Sequence, residues 1–501
     1  MGVTPLATRP PVSGVVRLRD FAGDTRLGRA CLPLVQAHPG CSGIVALPEG
    51  RDAFAARALL ADAAEHTLDV RYYIWRNDMS GILLFAALRR AAERGVRVRL
   101  LLDDNNTSGL DAVLATLDAH PNIEVRLFNP FKARRWRLLG YLTDFKRLNR
   151  RMHNKSFTAD DQATIIGGRN IGDEYFDAGQ APRFEDLDVL AVGPVVDDVS
   201  RDFERYWASA SAIPVARVLP RATAASLVAV AADAARVEHA PAAAAYVDAI
   251  AKSPFVRDLL ARHLTFEWTP TLMLSDDPAK GMGRAPESSL LWHRLKETMG
   301  ASVRELRLVS PYFVPGSGGF AALAALAKQG VKIAVLTNAI EATDVTVVHA
   351  GYAKWRKSLL GAGIALFELK RGYSRSAAKR VGWTGSSGAG SSGSSLHAKT
   401  FSVDRSRVFI GSFNFDPRSA RLNTEMGFVI DSPALALAIA ARFAEDVRTR
   451  AYQVGLGDTG ELYWIDRQDG VEVVRQEEPG TSVWRRFAVA VLSLLPIEWL
   501  L

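Results

Sequence analysis

The sequence predicts an α/β protein built from two similar lobes, each a mainly parallel sheet with helices on both faces. Three observations carry that prediction. The chain has 501 residues, too many for one ordinary domain. Strand-like and helix-like patterns alternate along it, and its second half restates the first at lower fidelity. A hydrophobic fraction of 48% and a charged fraction of 23% are those of a folded chain able to bury large cores.

Residues 1–41 read as an N-terminal extension; MGVTPLATRPPVSG has no apolar core of signal-peptide length. The first lobe is expected over 42–215. There LDVRYYIW (Leu68 to Trp75) reads as a strand, GILLFAALRRAAERG as a helix and VRVRLLLDD (Val96 to Asp104) as a second buried strand. A connector over 216–300 has the Ala-rich stretch Ser226 to Lys252 at its centre, rich in strong helix formers. The second lobe, 301–455, repeats strand, helix, strand as LRLVSPYFVP, GFAALAALAKQG and VKIAVLTN. Each unit then adds a helix-like stretch and a short strand, IEVRLFNP from Ile123 and IALFELKR from Ile364. Such alternation implies parallel strands with right-handed crossovers.

Lys and Arg number 62 against 54 Asp and Glu, a net charge of +8 that favours an anionic partner, either nucleic acid or an anionic membrane surface. Two cysteines, Cys31 and Cys41, exclude a disulfide framework and a paired-cysteine zinc site. No apolar run reaches the roughly 18–20 residues of a spanning helix, so a peripheral protein inside the cell is expected.

The chemistry is carried by MHNKSFTADDQATIIGGRN and LHAKTFSVDRSRVFIGSFN. Counting from His153 and from His397, Lys follows at two residues, Asp at seven, Gly at fourteen and Asn at seventeen in both. Residues two apart on a strand face the same way, so His153 and Lys155 share one site, as do His397 and Lys399. One imidazole can attack phosphorus while a second, across the phosphate, protonates the departing alkoxide. Lysines and asparagines supply donors to the equatorial oxygens, an arrangement that needs no metal and no cofactor. Asp160 and Asp404 fall at the hairpin turns, where aspartate bonds its own backbone, and a structural role is expected for them.

These residues form a double HxKxxxxD signature, on which the chain resembles the phospholipase D superfamily from about Ser42 to Ala451. The stretches MHNKSFTADDQATIIGGRNIGDEYF and GSFNFDPRSARLNTEMGFVI look most like its bacterial cardiolipin synthase and phospholipase D-like branch. The resemblance implies one active site shared between two lobes of phospholipase D fold. His153, Lys155, Asp160, His397, Lys399 and Asp404 then belong to the catalytic motifs, and Asn170, Asn414 and Ser412 bind or orient phosphate. It pairs Glu425 with His397, and Asp186 with His153, although Glu185 and Asp188 stand beside Asp186. It makes His153 the nucleophile and His397 the general acid.

The implied activity is phosphatidyl transfer or phospholipid hydrolysis, with phosphatidylglycerol and phosphatidylethanolamine among the substrates and a monomer peripheral on the cytoplasmic side of a bacterial inner membrane. The alternative is a nuclease of the same superfamily. Two motifs in one chain, amphipathic basic segments and an apolar terminus favour lipid over nucleic acid. Three further segments remain. GWTGSSGAGSSGSS (Gly382 to Ser395) reads as a flexible lead into His397. The basic, aromatic stretch Lys132 to Lys155 suits either a packed helix or a lipid headgroup surface. The segment 456–501 ends in SVWRRFAVAVLSLLPIEWLL, which either packs on the core or lies in the membrane interface with Trp484 and Trp499 at headgroup depth.

Overall fold

The repeat read in the sequence becomes two sheets that share one order over eight strands. The structure is a computed structural model that describes residues 23–132, 134–178, 184–260, 263–299, 303–343, 345–371, 395–468 and 471–494. The first half supplies β1 (Ser42–Leu47), β2 (Thr67–Ile74), β3 (Arg97–Asn106), β4 (Ile123–Phe128), β5 (Ser156–Ala159), β6 (Ala163–Gly167), β7 (Phe184–Glu185), β8 (Asp188–Val192), β9 (Ala212–Pro214) and β10 (Glu267–Thr269). The second supplies β11 (Thr271–Ser275), β12 (Glu305–Val309), β13 (Lys332–Asn338), β14 (Ala365–Leu369), β15 (Ser395–Leu396), β16 (Thr400–Val403), β17 (Arg407–Gly411), β18 (Met426–Ile430), β19 (Ala451–Leu456), β20 (Leu462–Gln468) and β21 (Val471–Arg475).

The first sheet has the order β10-β1-β8-β6-β5-β2-β3-β4-β9, and the second β11-β18-β17-β16-β12-β13-β14-β19-β20-β21. Within each, the three strands joined by helices pair in parallel: β2 with β3 and β3 with β4, then β12 with β13 and β13 with β14. The remaining neighbours are antiparallel. The two α/β lobes are present, but the expected mainly parallel sheets are mixed. Helical crossovers force parallel pairing, whereas the hairpins that carry the motifs can only return antiparallel.

Local signals explain the crossover helices. Asp78 caps Met79–Glu93 by accepting the Gly81 N–H at 3.0 Å. That helix buries Leu84, Phe85, Leu88 and Ala91, and the chain leaves it through Gly95 at φ +98°. Its counterpart, Gly316–Lys328, is followed in the same way by Gly330 at φ +88°. The Ala-rich connector forms two helices, Ala224–Glu238 and Pro241–Ala251.

The chain passes from one sheet to the other at Pro270, between β10 and β11. Residues of both sheets share one core at this junction, where Ile44, Ile166, Val189 and Ala191 pack with Met273, Ile410, Met426 and Phe428. The second sheet therefore opens at Thr271 and runs through Arg475. After it, the helix Val483–Leu494 lays Val489 against Ile340 and Ala350 while Trp484 stays 81% exposed. Pro496, Glu498, Trp499 and residues 382–394 of the Gly/Ser tract lie outside the described residues. Among the described residues no helix is long and apolar enough to cross a membrane.

Candidate active site

The two motif hairpins are β5–β6 and β16–β17, and their tight turns set the register of everything upstream. Asp160 and Asp161 occupy the first turn at φ 51° and 53°, Asp404 and Arg405 the second at φ 51° and 52°. The Asp160 carboxylate accepts the N–H groups of Glu65 at 3.0 Å, His66 at 2.8 Å and Thr67 at 2.9 Å. Asp404 accepts those of Arg304 at 2.7 Å and Glu305 at 2.8 Å. Both aspartates thus tie a hairpin turn to the start of the neighbouring antiparallel strand, β2 or β12, at the end of the hairpin remote from the histidine.

At the other end, His153, Lys155, His397 and Lys399 are all buried. They meet where the lobes join, and backbone bonds fix the meeting. The His153 N–H donates to the Thr424 carbonyl and the Thr424 N–H to the Arg151 carbonyl, each at 2.9 Å. On the second lobe, β15 pairs with β7, and the N–H groups of His397 and Ala398 donate to the Glu185 carbonyl at 2.8 and 3.0 Å. Each histidine is thereby placed beside the residue after its bridging partner: His153 beside Glu425, and His397 beside Asp186.

The side chains follow. His153 Nδ1 lies 2.8 Å from Glu425 Oε2, and His397 Nδ1 2.5 Å from Asp186 Oδ2. This corrects the expected pairing of Glu425 with His397 and of Asp186 with His153; the carboxylates are exchanged across the seam. The sheet order gives the reason. Asp186 heads β8 and Glu425 heads β18, and in each lobe one strand, β6 or β17, lies between that strand and the one behind the histidine. Two strand spacings are about 10 Å, beyond the reach of a carboxylate.

The two dyads differ. Glu425 Oε2 also accepts the Ser412 hydroxyl at 2.5 Å, so Ser412 orients the carboxylate. At the same register position in the first motif stands Gly168, where an added Cβ would lie 2.1 Å from Asp186 Oδ1. The shorter aspartate therefore approaches the backbone more closely than a side chain at 168 would allow. Asn170 is engaged at both ends, accepting the Ile74 N–H and donating to the Tyr175 hydroxyl, each at 3.1 Å. Asn414 is buried with its Oδ1 unpartnered among the described residues.

Electrostatics sharpen the difference. Burial, with Lys155 and Lys399 nearby, holds His153 well below its ordinary pKa. His397 is also lowered by burial and Lys399, but Asp186 opposes them. Burial alone would raise Asp186; Lys399 and His397 outweigh it and keep the carboxyl below its usual range. Glu425 goes the other way, pushed up to about 7 by burial that Lys155 and Ser412 only partly offset. Lys155 is pulled down to about 7, again chiefly by burial. Lys155 Nζ donates to the His153 carbonyl at 2.5 Å, and Lys399 Nζ lies 3.0 Å from His397 Nδ1.

Aromatic rings complete the walls, and the motifs gave no sign of them. Tyr73 stands edge-on to His153 with centroids 5.0 Å apart, while Tyr175 and Phe184 flank His397 at 5.2 and 5.1 Å. Gly168 was legible in principle, as one of the two positions, with Arg169, at which GGRN and GSFN differ between the shared glycine and asparagine. Among the described residues no group of three or more His, Cys, Asp or Glu side chains is placed to hold a metal ion.

Two equivalent lobes that bring paired imidazole and ammonium groups to one seam define a two-motif phosphodiester enzyme. The chain belongs to the cardiolipin synthase family with PLD-like domains, whose description, "Cardiolipin synthase, PLD-like domain", it matches at residues 58–207 and 295–447. It is 54% identical over 480 residues to cardiolipin synthase C of Escherichia coli (strain K12), covering 95% of this chain and 100% of that protein. It is 24% identical over 436 residues to cardiolipin synthase A of Pseudomonas entomophila (strain L48), covering 86% and 74%. Among solved structures, phosphatidylserine synthase of Haemophilus influenzae Rd KW20 superposes with a TM-score of 0.55 at 15% identity, covering 85% of this chain and 91% of that one. That likeness concerns the fold.

Proposed function

We propose that this chain is a phospholipid phosphatidyltransferase that makes cardiolipin, taking a phosphatidyl group from phosphatidylglycerol or phosphatidylethanolamine onto His153 and passing it to a second lipid hydroxyl. The observation that supports it is the crossed pair of dyads, both buried, with Lys155, Lys399 and His397 all close enough to lower the pKa of His153. With each Nδ1 engaged by a carboxylate, the Nε2 atoms are left for chemistry.

The unequal carboxylates support a division of roles. His153 is held neutral beside a carboxyl of raised pKa, which suits a lone pair poised for attack. His397 sits beside a carboxylate kept ionised, which supports an imidazolium and so a general acid. His153 Nε2 attacks phosphorus, the bond from phosphorus to the departing headgroup oxygen (of glycerol or ethanolamine) breaks, and His397 gives that oxygen its proton. The acceptor hydroxyl then yields its proton to His397 and attacks, the P–N bond breaks, and neutral His153 returns. Lys155 and Lys399 neutralise the phosphoryl oxygens throughout. Because one chain carries both motifs, a monomer contains a complete site, and we place it at the cytoplasmic face of the bacterial inner membrane, where its net charge of +8 meets anionic lipid.

Purified protein incubated with labelled phosphatidylglycerol, with and without phosphatidylethanolamine, beside labelled single-stranded DNA tests this. Cardiolipin should form, with trapped phosphate on the His153 peptide. Cleaved DNA with untouched lipid would replace lipid by nucleic acid as substrate, and label on His397 alone would reverse the roles.

A further inference from the structure

We propose that Trp136 and the two short helices Arg137–Thr143 and Phe145–Leu148 form a rim that docks on an anionic phospholipid bilayer and holds the site mouth against it. The proposal deepens the phospholipid reading above and rests on it.

Leu142 is 82% exposed, Trp136 69% and Phe145 38%. Single exposed apolar side chains are ordinary, but Trp136 and Leu142, with Phe145 tilted against Tyr141 beside them, form an apolar patch within ten residues. The segment is not loosely attached. Tyr141 donates to Asn105 Oδ1 at 2.8 Å, Arg137 to the Asn105 carbonyl at 2.9 Å and Arg147 to the Pro130 carbonyl at 3.1 Å, and Leu148 is buried. Arg137, Tyr141, Arg147 and Leu148 are held inward while Trp136 and Leu142 are left outside.

Position names the partner. Asn105 lies one residue before the end of β3 at Asn106, which pairs with Ile74 at the end of β2 that carries Tyr73 and so His153. At its far end the rim crosses to the second lobe, where Arg418 donates to the Asn149 carbonyl at 2.9 Å and Arg150 to the Arg421 carbonyl at 3.0 Å. The rim thus borders both halves of the site. His153 and His397 are only 6% and 7% exposed, so a phosphodiester anchored in a bilayer reaches them only if the mouth is pressed to the headgroups. An amphipathic segment sinks about 5–10 Å into that layer, which supplies the approach. Exposed Lys132 and Lys146 bracket the apolar patch, the charge pattern that anionic headgroups attract.

The test uses the full chain with Cys31 and Cys41 replaced by serine and a bimane label at Leu142→Cys, with Leu227→Cys, on the exposed face of the connector helix, as control. Vesicles of phosphatidylglycerol and phosphatidylcholine should blue-shift the label at 142 and not at 227, and high salt should weaken the effect. In parallel, the triple variant Trp136→Ser, Leu142→Ser, Phe145→Ser should lose about tenfold or more in rate on vesicles while staying within about twofold on short-chain, monomeric phosphatidylglycerol. An unshifted label at 142, equal shifts at both positions, or an unchanged vesicle rate overturns the docking rim. Failure of the parent on the short-chain lipid overturns the phospholipid reading instead.

Discussion

Replacing Gly168 by alanine should uncouple the general acid without touching a reacting group. Gly168 has no positive φ, so the alanine backbone is unstrained and the effect is steric. The new Cβ would sit 2.1 Å from Asp186 Oδ1 and 2.7 Å from its Cγ. Normal contact distance is about 3.5 Å, so the carboxylate must retreat by more than about 1 Å. The 2.5 Å contact with His397 Nδ1 then opens past hydrogen-bonding range. A charge-assisted bond of this kind is worth about 1.5–3 kcal/mol, which converts to a loss of about 10- to 150-fold in turnover. The assay separates two releases. Departure of glycerol needs a proton from His397 and should slow by that factor, whereas the first-turnover burst of p-nitrophenolate from a p-nitrophenyl phosphodiester needs none and should be spared. Parent-like lipid turnover in Gly168→Ala, or equal slowing of both releases, would refute the assignment.

Two further outcomes follow from the same geometry. Inorganic phosphate should bind more weakly as pH rises through about 7, because Lys155 loses its charge there while Glu425 gains one; calorimetry between pH 6 and 8 should show a fall on the order of tenfold that Lys155→Gln flattens. Asp160→Ala should cost about 3 kcal/mol in urea unfolding, since three backbone N–H groups lose their acceptor, while turnover at a temperature where the variant is folded stays within about twofold. A large loss of turnover in folded Asp160→Ala would return that residue to the catalytic set.

What the sequence disclosed was whatever recurs along the chain. The spacing from His153 matches that from His397, the two strand–helix–strand units align, and both hairpins carry aspartate where the turn needs positive φ. Hydrophobic patterning does not record strand direction, so the antiparallel returns of β8 and β18 were invisible and the sheets read as mainly parallel. The dyads were misassigned for a related reason. Asp186 is near His153 in sequence, but β6 separates β8 from β5 in space, and the bridge from Met152 to Thr424 links segments 272 residues apart. Only the order of strands across the whole sheet, together with the docking of the lobes, brings Glu425 to His153. Nor does spacing show which aromatic side chains line the pocket, since Tyr73 and Phe184 sit on strands whose alternation alone gives no sign of the neighbouring lobe.

The crossing of the dyads has a consequence for how catalysis depends on the fold. Neither lobe holds a finished histidine–carboxylate pair, so each imidazole acquires its orientation only when the seam closes, through the same backbone bridges that precede Glu425 and Asp186. A small separation of the lobes would disorient both imidazoles at once. The near-symmetry that builds this seam would nevertheless give two identical groups, and a transfer reaction needs a base and an acid together at one pH. The exchange of one methylene between the carboxylates breaks the tie. Asp186, short and drawn in over Gly168, stays ionised beside Lys399 and His397, while Glu425, as fully buried but with its burial only partly offset by Lys155 and Ser412, is raised to about 7. The internal repeat supplies two copies of the motif; the differences at 168 and 186 against 412 and 425 set the two carboxylates apart in pKa.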